Sequence, residues 1–210
     1  MTLEIENRSS FIFKISIALF VIVHMFYINL PPCSIHVWRQ CNTMSVARNF
    51  AEEDMNILHP RVDRRFESDG ITGTAFPLYE WLLANFMRFI GNPNYLSRIF
   101  SLFISVIGII FCYRFIGIIS DNKSVAAFTA SSICWAPEFF YHSMNALPDI
   151  LALTLAFASL YYFEKGIKSN SISAFFISML FLTLSGLVKI QYLMIGAYFA
   201  TIFLMHLIKN

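Results

Sequence analysis

Long apolar runs alternate with short polar breaks along most of this chain. The runs cover residues 11–30, 95–118, 124–140, 148–163, 171–188 and 191–207. Each is near the length that crosses a bilayer, roughly 17–25 residues. Backbone amides in lipid must bond within their own segment, so all six are predicted helices. The breaks between them, such as "SDNKS" and "EKGIKSNS", carry helix-ending residues. Residues 31–94 break the rhythm with a long, charged stretch. Two pieces of it read as helices. Residues 43–54 set apolar Met44, Val46, Ala47 and Phe50 beside Arg48 and Asn49. Residues 76–91, "FPLYEWLLANFMRFIG", are apolar with Glu80, Asn85 and Arg88 spaced along them. This second piece is short for a span, and Tyr79 and Trp81 suit a headgroup layer, so it is predicted to lie in the interface. The expected fold is all-α: a polytopic membrane bundle of about six transmembrane helices with surface helices in its first outer loop. Its parts are a terminus (1–10), a first transmembrane helix (11–30), the loop (31–94) and a five-helix transmembrane region (95–210).

Composition strengthens the membrane reading. The chain is 57% hydrophobic and 13% charged, with a mean hydropathy of +0.62, whereas soluble domains carry about 25% charged residues. A net charge of +2 gives no case for nucleic acid as a partner. The first run lacks a small-x-small cleavage site, and Pro31-Pro32 precede Cys33 where a lipobox has small residues. It reads as an uncleaved anchor. With the N-terminus inside, Arg8, Lys14, Arg114, Lys123, Lys165, Lys168 and Lys209 all fall at cytoplasmic ends of spans, as the positive-inside bias requires. Residues 31–94 are then outside. Lys189 is the exception, a lysine on the outer side. A short seventh span at 76–91 would invert this pattern. Cys112 and Cys134 read as packing residues, and Cys33 and Cys41 could pair only if their loop is extracytoplasmic.

Under this topology several polar groups converge on the outer face. Trp38-Arg39-Gln40 follow the first span, and "HPRVDRRFESDGITGTAFP" lies between the surface helices. Glu138 and His142 follow the third span, Asp149 begins the fourth, and Lys189 and Gln191 sit between the last two. Ionisable groups near lipid are costly and mark functional sites. Asp149 has a simpler explanation as a helix-start acid after Pro148, and Lys189 as a side chain reaching the headgroups. A bound phosphate would also account for Lys189. Arg61, Arg64 and Arg65 can grip phosphate in a fork, or pair with Asp63, Glu67 and Asp69. His59 and Asp63 are candidate ligands for a divalent cation, though Pro60 disrupts their spacing. Gly70, Gly73 and Thr74 read as a turn. The set suits a cavity with carboxylates for proton abstraction and cations for a phosphate leaving group.

The ordered motifs "HVWRQCNTMSVARNF", "HPRVD", "GTAFPLYEWLLA", "YLSRIFSLF", "LPDILAL" and "GLVKIQ" resemble the N-terminal half of bacterial GT-C glycosyltransferases. The family is that of the dolichyl-phosphate-mannose protein mannosyltransferases and the lipid A aminoarabinose transferase. The resemblance implies inverting transfer of a sugar from a polyprenyl-phosphate donor to an acceptor outside the cytoplasmic membrane. It also implies the bilayer as a partner and no organic cofactor. Asp149 in "LPD" matches a family acid at the outer end of a span, and Lys189 matches a lysine near the lipid phosphate. Trp38, Arg39, Gln40, Arg61, Arg64, Phe76, Tyr79, Lys189 and Gln191 form the implied substrate-binding set. Relatives with Trp-Arg-Gln continue Ala-Asp-Thr; here Cys41-Asn42-Thr43 follow, and Asn42, an amide, stands where the family has a base. Ala75 replaces a charged residue before Phe-Pro. Asp63 is the substitute candidate, beside Asp149, for the catalytic carboxylate. Relatives run on for further spans, so the chain reads as a truncated product, a fragment, or one part of a split enzyme, for which a separately encoded C-terminal half would be a partner. The alternatives are a truncated non-catalytic subunit or pseudoenzyme of the same family and, less well matched, a transporter or flippase.

Overall fold

The computed structural model describes residues 2–209 apart from Thr74 and Pro93, and only the backbone of 2–7, 206, 207 and 209. Thr74, in the expected turn, and the side chain of Lys209 therefore lie outside the described residues.

Among the described residues the architecture is all-helical. The helices are α1 (Thr2–Met25), α2 (Val37–Glu52), α3 (Leu78–Ile90), α4 (Leu96–Ser120), α5 (Lys123–Cys134), α6 (Pro137–Met144), α7 (Asp149–Ser169), α8 (Ile172–Val188) and α9 (Ile195–Lys209). A 3-10 turn, Ile190–Met194, links α8 to α9. Three segments are long and apolar enough to cross a membrane, Arg8–Met25, Leu96–Ser120 and Asp149–Ser169, with shorter apolar helices over Ile172–Val188 and Ile190–Met205. Phe11, Ile12, Leu19, Phe176, Leu180 and Phe203 point outward from the bundle, the surface a lipid tail would cover.

α7 packs against both α4 and α8, and small residues let these backbones approach. An added Cβ at Gly108 would lie 2.5 Å from Thr154 Oγ1, and that hydroxyl donates to the Ile104 carbonyl at 3.1 Å. Ser159 and Ser178 each donate to the other's carbonyl, at 2.9 and 2.8 Å, and Ser185 donates to Ala152 at 2.8 Å. With little hydrophobic force between helices in lipid, such close packing and hydroxyl bonds hold them together. His24 is buried and bridges the Phe20 carbonyl and the Ser143 hydroxyl.

The helices differ from the sequence reading in several places. The run at 124–140 is two helices, α5 and α6, because Pro137 lacks an N–H for a continuous helix and takes the first position of the second. α2 starts at Val37, so Trp38, Arg39 and Gln40 stand on the helix, where the Gln40 N–H already reaches the His36 carbonyl. α3 lies against α2, and Tyr79 and Trp81 are held by protein. Tyr79 is buried with its hydroxyl 2.7 Å from Ser101 Oγ, and the Trp81 indole donates to the Met55 carbonyl at 2.9 Å. Phe86, Phe89 and Ile90 are the exposed apolar side chains of this helix. Apolarity placed the helix at a boundary; tertiary packing chose which aromatics face inward.

One end of the bundle is drawn together by Arg98. This buried guanidinium donates to the carbonyls of Leu30, Pro31 and Met144 at 2.7–2.8 Å. It thereby joins the exit of α1, the start of α4 and the α6–α7 turn. Ser9–Ser124 and Lys168–Asp121 contacts mark the other end. Arg114 and Lys165 lie over the Tyr161 ring toward that end, while Lys189 stands at the Arg98 end.

Candidate functional site

Asp149 opens α7 directly after the turn that Arg98 holds. Its two oxygens face two cations from distant parts of the chain. Arg39 Nη2 lies 3.2 Å from Oδ2, and Lys189 Nζ lies 3.1 Å from Oδ1. Arg39 reaches in from the first turn of α2, and Lys189 terminates α8. The side chains of Asp149 and Lys189 are each 19% exposed, enough for a ligand to reach them and little enough for charge to act at strength. Asp149 Oδ2 is buried and makes no hydrogen bond of proper geometry, although Arg39 is close. It thus has an acceptor position open.

Beside this cluster lies a cavity of about 440 Å³ lined by Asp149, His142, Glu138, Gln191 and Tyr192 at its polar part and by Ile133, Phe139, Ile150, Leu153 and Phe157 at its apolar part. His142 Nε2 lies 2.9 Å from Glu138, and its Nδ1 is buried without a partner.

α2 has a second working face. Trp38, Cys41, Asn42 and Ser45 line a cavity of about 600 Å³ with Val62, Asp63, Arg64 and Thr72. At 3.6 residues per turn this face is turned roughly 130° from the one bearing Arg39 and Thr43. The predicted residues are therefore divided. Arg39, Asp149, Lys189 and Gln191 gather at one site; Trp38, Asn42, Asp63 and Arg64 gather at the other. Asp63 accepts from Arg48 at 2.7 Å and Asn49 at 3.1 Å. Burial alone would raise its carboxyl, but these two bonds outweigh it and hold it below the usual carboxylate range.

The remaining predicted residues have other partners. Gln40 is buried and donates to the Cys33 carbonyl at 2.7 Å. Arg61 stands within 3.5 Å of Asp54 and 3.9 Å of Glu53, and the Arg65 fork grips Glu53. The Arg64 guanidinium lies 4.7 Å over Phe66. Tyr79 is in the core, and Phe76 is half-buried just ahead of α3. His59 sits against Asn56 and Asp54. Among the described residues no group of His, Cys, Asp or Glu is arranged to hold a metal ion. The loop at 60–72 closes through Val62 N–H to the Gly70 carbonyl and Thr72 N–H to the Pro60 carbonyl. Gly70 is required there, since its φ is +77° and a Cβ would meet Arg65 Cγ at 2.6 Å.

One site residue escaped the sequence reading. On Glu80 of α3, Thr43 of α2 and the charges of Arg39 and Lys189 favour the ionised form. Burial pushes its carboxyl up to about 7, against the opposing pull of Thr43 and the two cations. The signal was an acidic residue in the first turn of a largely apolar helix.

The family whose sequence model matches is described as dolichyl-phosphate-mannose-protein mannosyltransferase, over residues 74–210. That region is well over half the chain and includes Glu80, Asp149 and Lys189, while Arg39 precedes it. Neither a curated protein nor a solved structure matches the chain.

Proposed function

The chain belongs to the dolichyl-phosphate-mannose-protein mannosyltransferase family, and on that premise we propose that it transfers a sugar from a polyprenyl-phosphate-linked donor to an acceptor at the outer face of the cytoplasmic membrane, with inversion at the sugar. The observation that carries this reading is Asp149 held between Arg39 and Lys189 at the mouth of a cavity with a polar part and an apolar part. The cations suit a phosphate, which gains charge as it leaves. The apolar lining suits the first isoprene units of the donor tail. An acceptor hydroxyl enters from the opposite side of the sugar carbon and donates a hydrogen bond to Asp149 Oδ2. Its oxygen bonds to that carbon, the carbon–phosphate oxygen bond breaks, and the electron pair leaves with the polyprenyl phosphate. The hydroxyl proton passes to a carboxylate of the site. The cavity at Trp38, Asn42 and Asp63, with an exposed indole and hydrogen-bonding side chains, suits the body of the acceptor.

The test is transfer by the chain reconstituted in lipid, with and without any separately encoded C-terminal polypeptide, using radiolabelled polyprenyl-phosphate sugars. Label should leave the lipid, and Asp149→Asn should abolish the loss while the protein still accumulates. Full transfer by Asp149→Asn would overturn the reading. A second reading, a non-catalytic relative acting as a subunit, draws on Asn42, which lines the larger cavity together with Asp63 and stands in place of the family acid. A folded chain that binds donor but never releases its label would favour it.

A further inference from the structure

Arg48 of α2 and Arg61, Arg64 and Arg65 of the loop after it share one region, and all but Arg64 are neutralised. Arg48 pairs with Asp63 at 2.7 Å, Arg61 stands near Asp54 and Glu53, and the Arg65 fork grips Glu53. Among the described residues Arg64 has no carboxylate partner. Its guanidinium lies 4.7 Å over the Phe66 ring, a contact that uses none of its five N–H donors. Arg64 lines the larger cavity together with Trp38, Asn42, Asp63 and Thr72. The walls of this cleft are fixed by protein alone. Asn49 of α2 donates to the Arg61 carbonyl at 2.8 Å and to Asp63 Oδ1 at 3.1 Å. The loop closes on itself through the Val62 and Thr72 N–H groups. Asp63 accepts from Arg48 at Oδ2 and from Asn49 at Oδ1, so each oxygen keeps a further acceptor position for a hydroxyl. Arg48 offsets the Asp63 charge, which leaves Arg64 as the unbalanced charge of the lining. Trp38 is 74% exposed at the same cleft.

We propose that this cleft is an acceptor subsite for a saccharide bearing an acidic substituent, in which Trp38 stacks on a sugar ring, Asn42 and Asp63 bond its hydroxyls, and Arg64 grips a carboxylate or phosphate. The proposal rests on the transfer reading above and names the class of acceptor. The C–H face of a sugar ring is apolar and weakly positive, so it suits the negative face of an indole. Its hydroxyls need planar polar side chains at the rim of that contact, which the amide and the carboxylate supply. A guanidinium fork matches a carboxylate or phosphate in two parallel hydrogen bonds. Because Asn49 and Arg48 hold Asp63 in place, little ordering is left for the ligand to impose. A peptide acceptor would bond through its backbone, and the Val62 and Thr72 N–H groups are already used within the loop. α2 turns Trp38 to the cleft and Arg39 to Asp149, so the helix that holds the acceptor also forms part of the transfer site.

The experiment measures binding by calorimetry to the whole chain in phosphatidylcholine nanodiscs. The probes are a galactose trisaccharide, the same trisaccharide carrying one phosphate, the trisaccharide of galacturonic acid, and a serine-rich peptide. At least one acidic form should bind roughly 10–100-fold more tightly than the neutral one, the scale of a charge-assisted hydrogen bond, and the tighter of the two names the group that Arg64 reads. Arg64→Gln should erase that preference. Trp38→Ala should weaken every saccharide by roughly 2–10-fold, and Trp38→Phe should recover part of the loss. Equal binding of acidic and neutral forms by the natural chain overturns the proposal. So does a preference that survives Arg64→Gln, or a peptide that binds more tightly than any saccharide. The same chain is assayed for release of label from a polyprenyl-phosphate sugar. Release of label without an acidic preference overturns the proposal and leaves the transfer reading standing. An acidic preference in a chain whose Asp149→Asn variant releases label in full overturns the transfer reading and leaves the saccharide cleft.

Discussion

Lys189 Nζ lies 3.1 Å from Asp149 Oδ1, so the end of α8 and the start of α7 meet through an ion pair at the mouth of the smaller cavity. In the transfer reading this lysine also meets the donor phosphate. Charge-assisted hydrogen bonds contribute about 1.5–3 kcal/mol, so Lys189→Met should lower kcat/KM for the donor by roughly 10–100-fold. Steady-state kinetics in proteoliposomes checks this. Lys189→Arg should recover part of the loss, because the charge remains; a purely structural pair would show reduced folding yield with donor kinetics unchanged.

Arg98 closes the same end of the bundle by bonding three carbonyls. Arg98→Leu would leave the carbonyls of Leu30, Pro31 and Met144 buried without that donor. Each such group costs about 1–3 kcal/mol, so thermal unfolding in detergent should show destabilisation of at least about 3 kcal/mol. Arg98→Lys should fail to restore it, since an ammonium cannot span the same fan of acceptors.

Gly108 sets the spacing of α4 and α7. A methyl group there would meet Thr154 Oγ1 at 2.5 Å, displacing a hydroxyl that bonds the Ile104 carbonyl. Gly108→Val should destabilise the bundle by about 1–3 kcal/mol, the usual result of overpacking, as read from thermal unfolding. Adding Thr154→Ala should recover part of the loss.

The loop after α2 should be acid-sensitive. The hydrogen bond from Arg65 holds Glu53 below its ordinary range, the Asn56 amide does so for Asp54, and Asn49 with Arg48 do so for Asp63 against the effect of burial. Carboxyls held lower in the folded state stabilise it at neutral pH, and that contribution is lost as pH falls through the depressed values, below about 4. Hydrogen-exchange protection of Val62 and Thr72, whose N–H groups donate across this loop, should be high at pH 7 and fall well before the helical bundle loses its own.

Asp149 and Lys189 were legible as site candidates because each was a charge at the end of an apolar run, where local chemistry alone raises the question. Gln40 and Tyr79 were not readable as core residues. Both belong to motifs that looked functional, and their burial depends on Cys33 and Ser101, partners outside those motifs. Glu80 was visible as a charge in a largely apolar helix, but the burial that raises its carboxyl comes from packing no local pattern carries.

The sequence by itself determined the helical class and the succession of apolar segments, because a chain this poor in charge has little choice but to satisfy its amides within helices. Pro137 breaks the third run through a local property of its ring, and even that was passed over within a long apolar stretch. Tertiary structure decided what no local pattern carries: that Arg39 and Lys189 close on one carboxylate, that α2 turns Trp38, Cys41, Asn42 and Ser45 to a cavity and Arg39 to Asp149, and that burial raises the Glu80 carboxyl. These are relations between side chains on separate helices, and their energies arise only when packing brings the helices together and excludes water from the space between them.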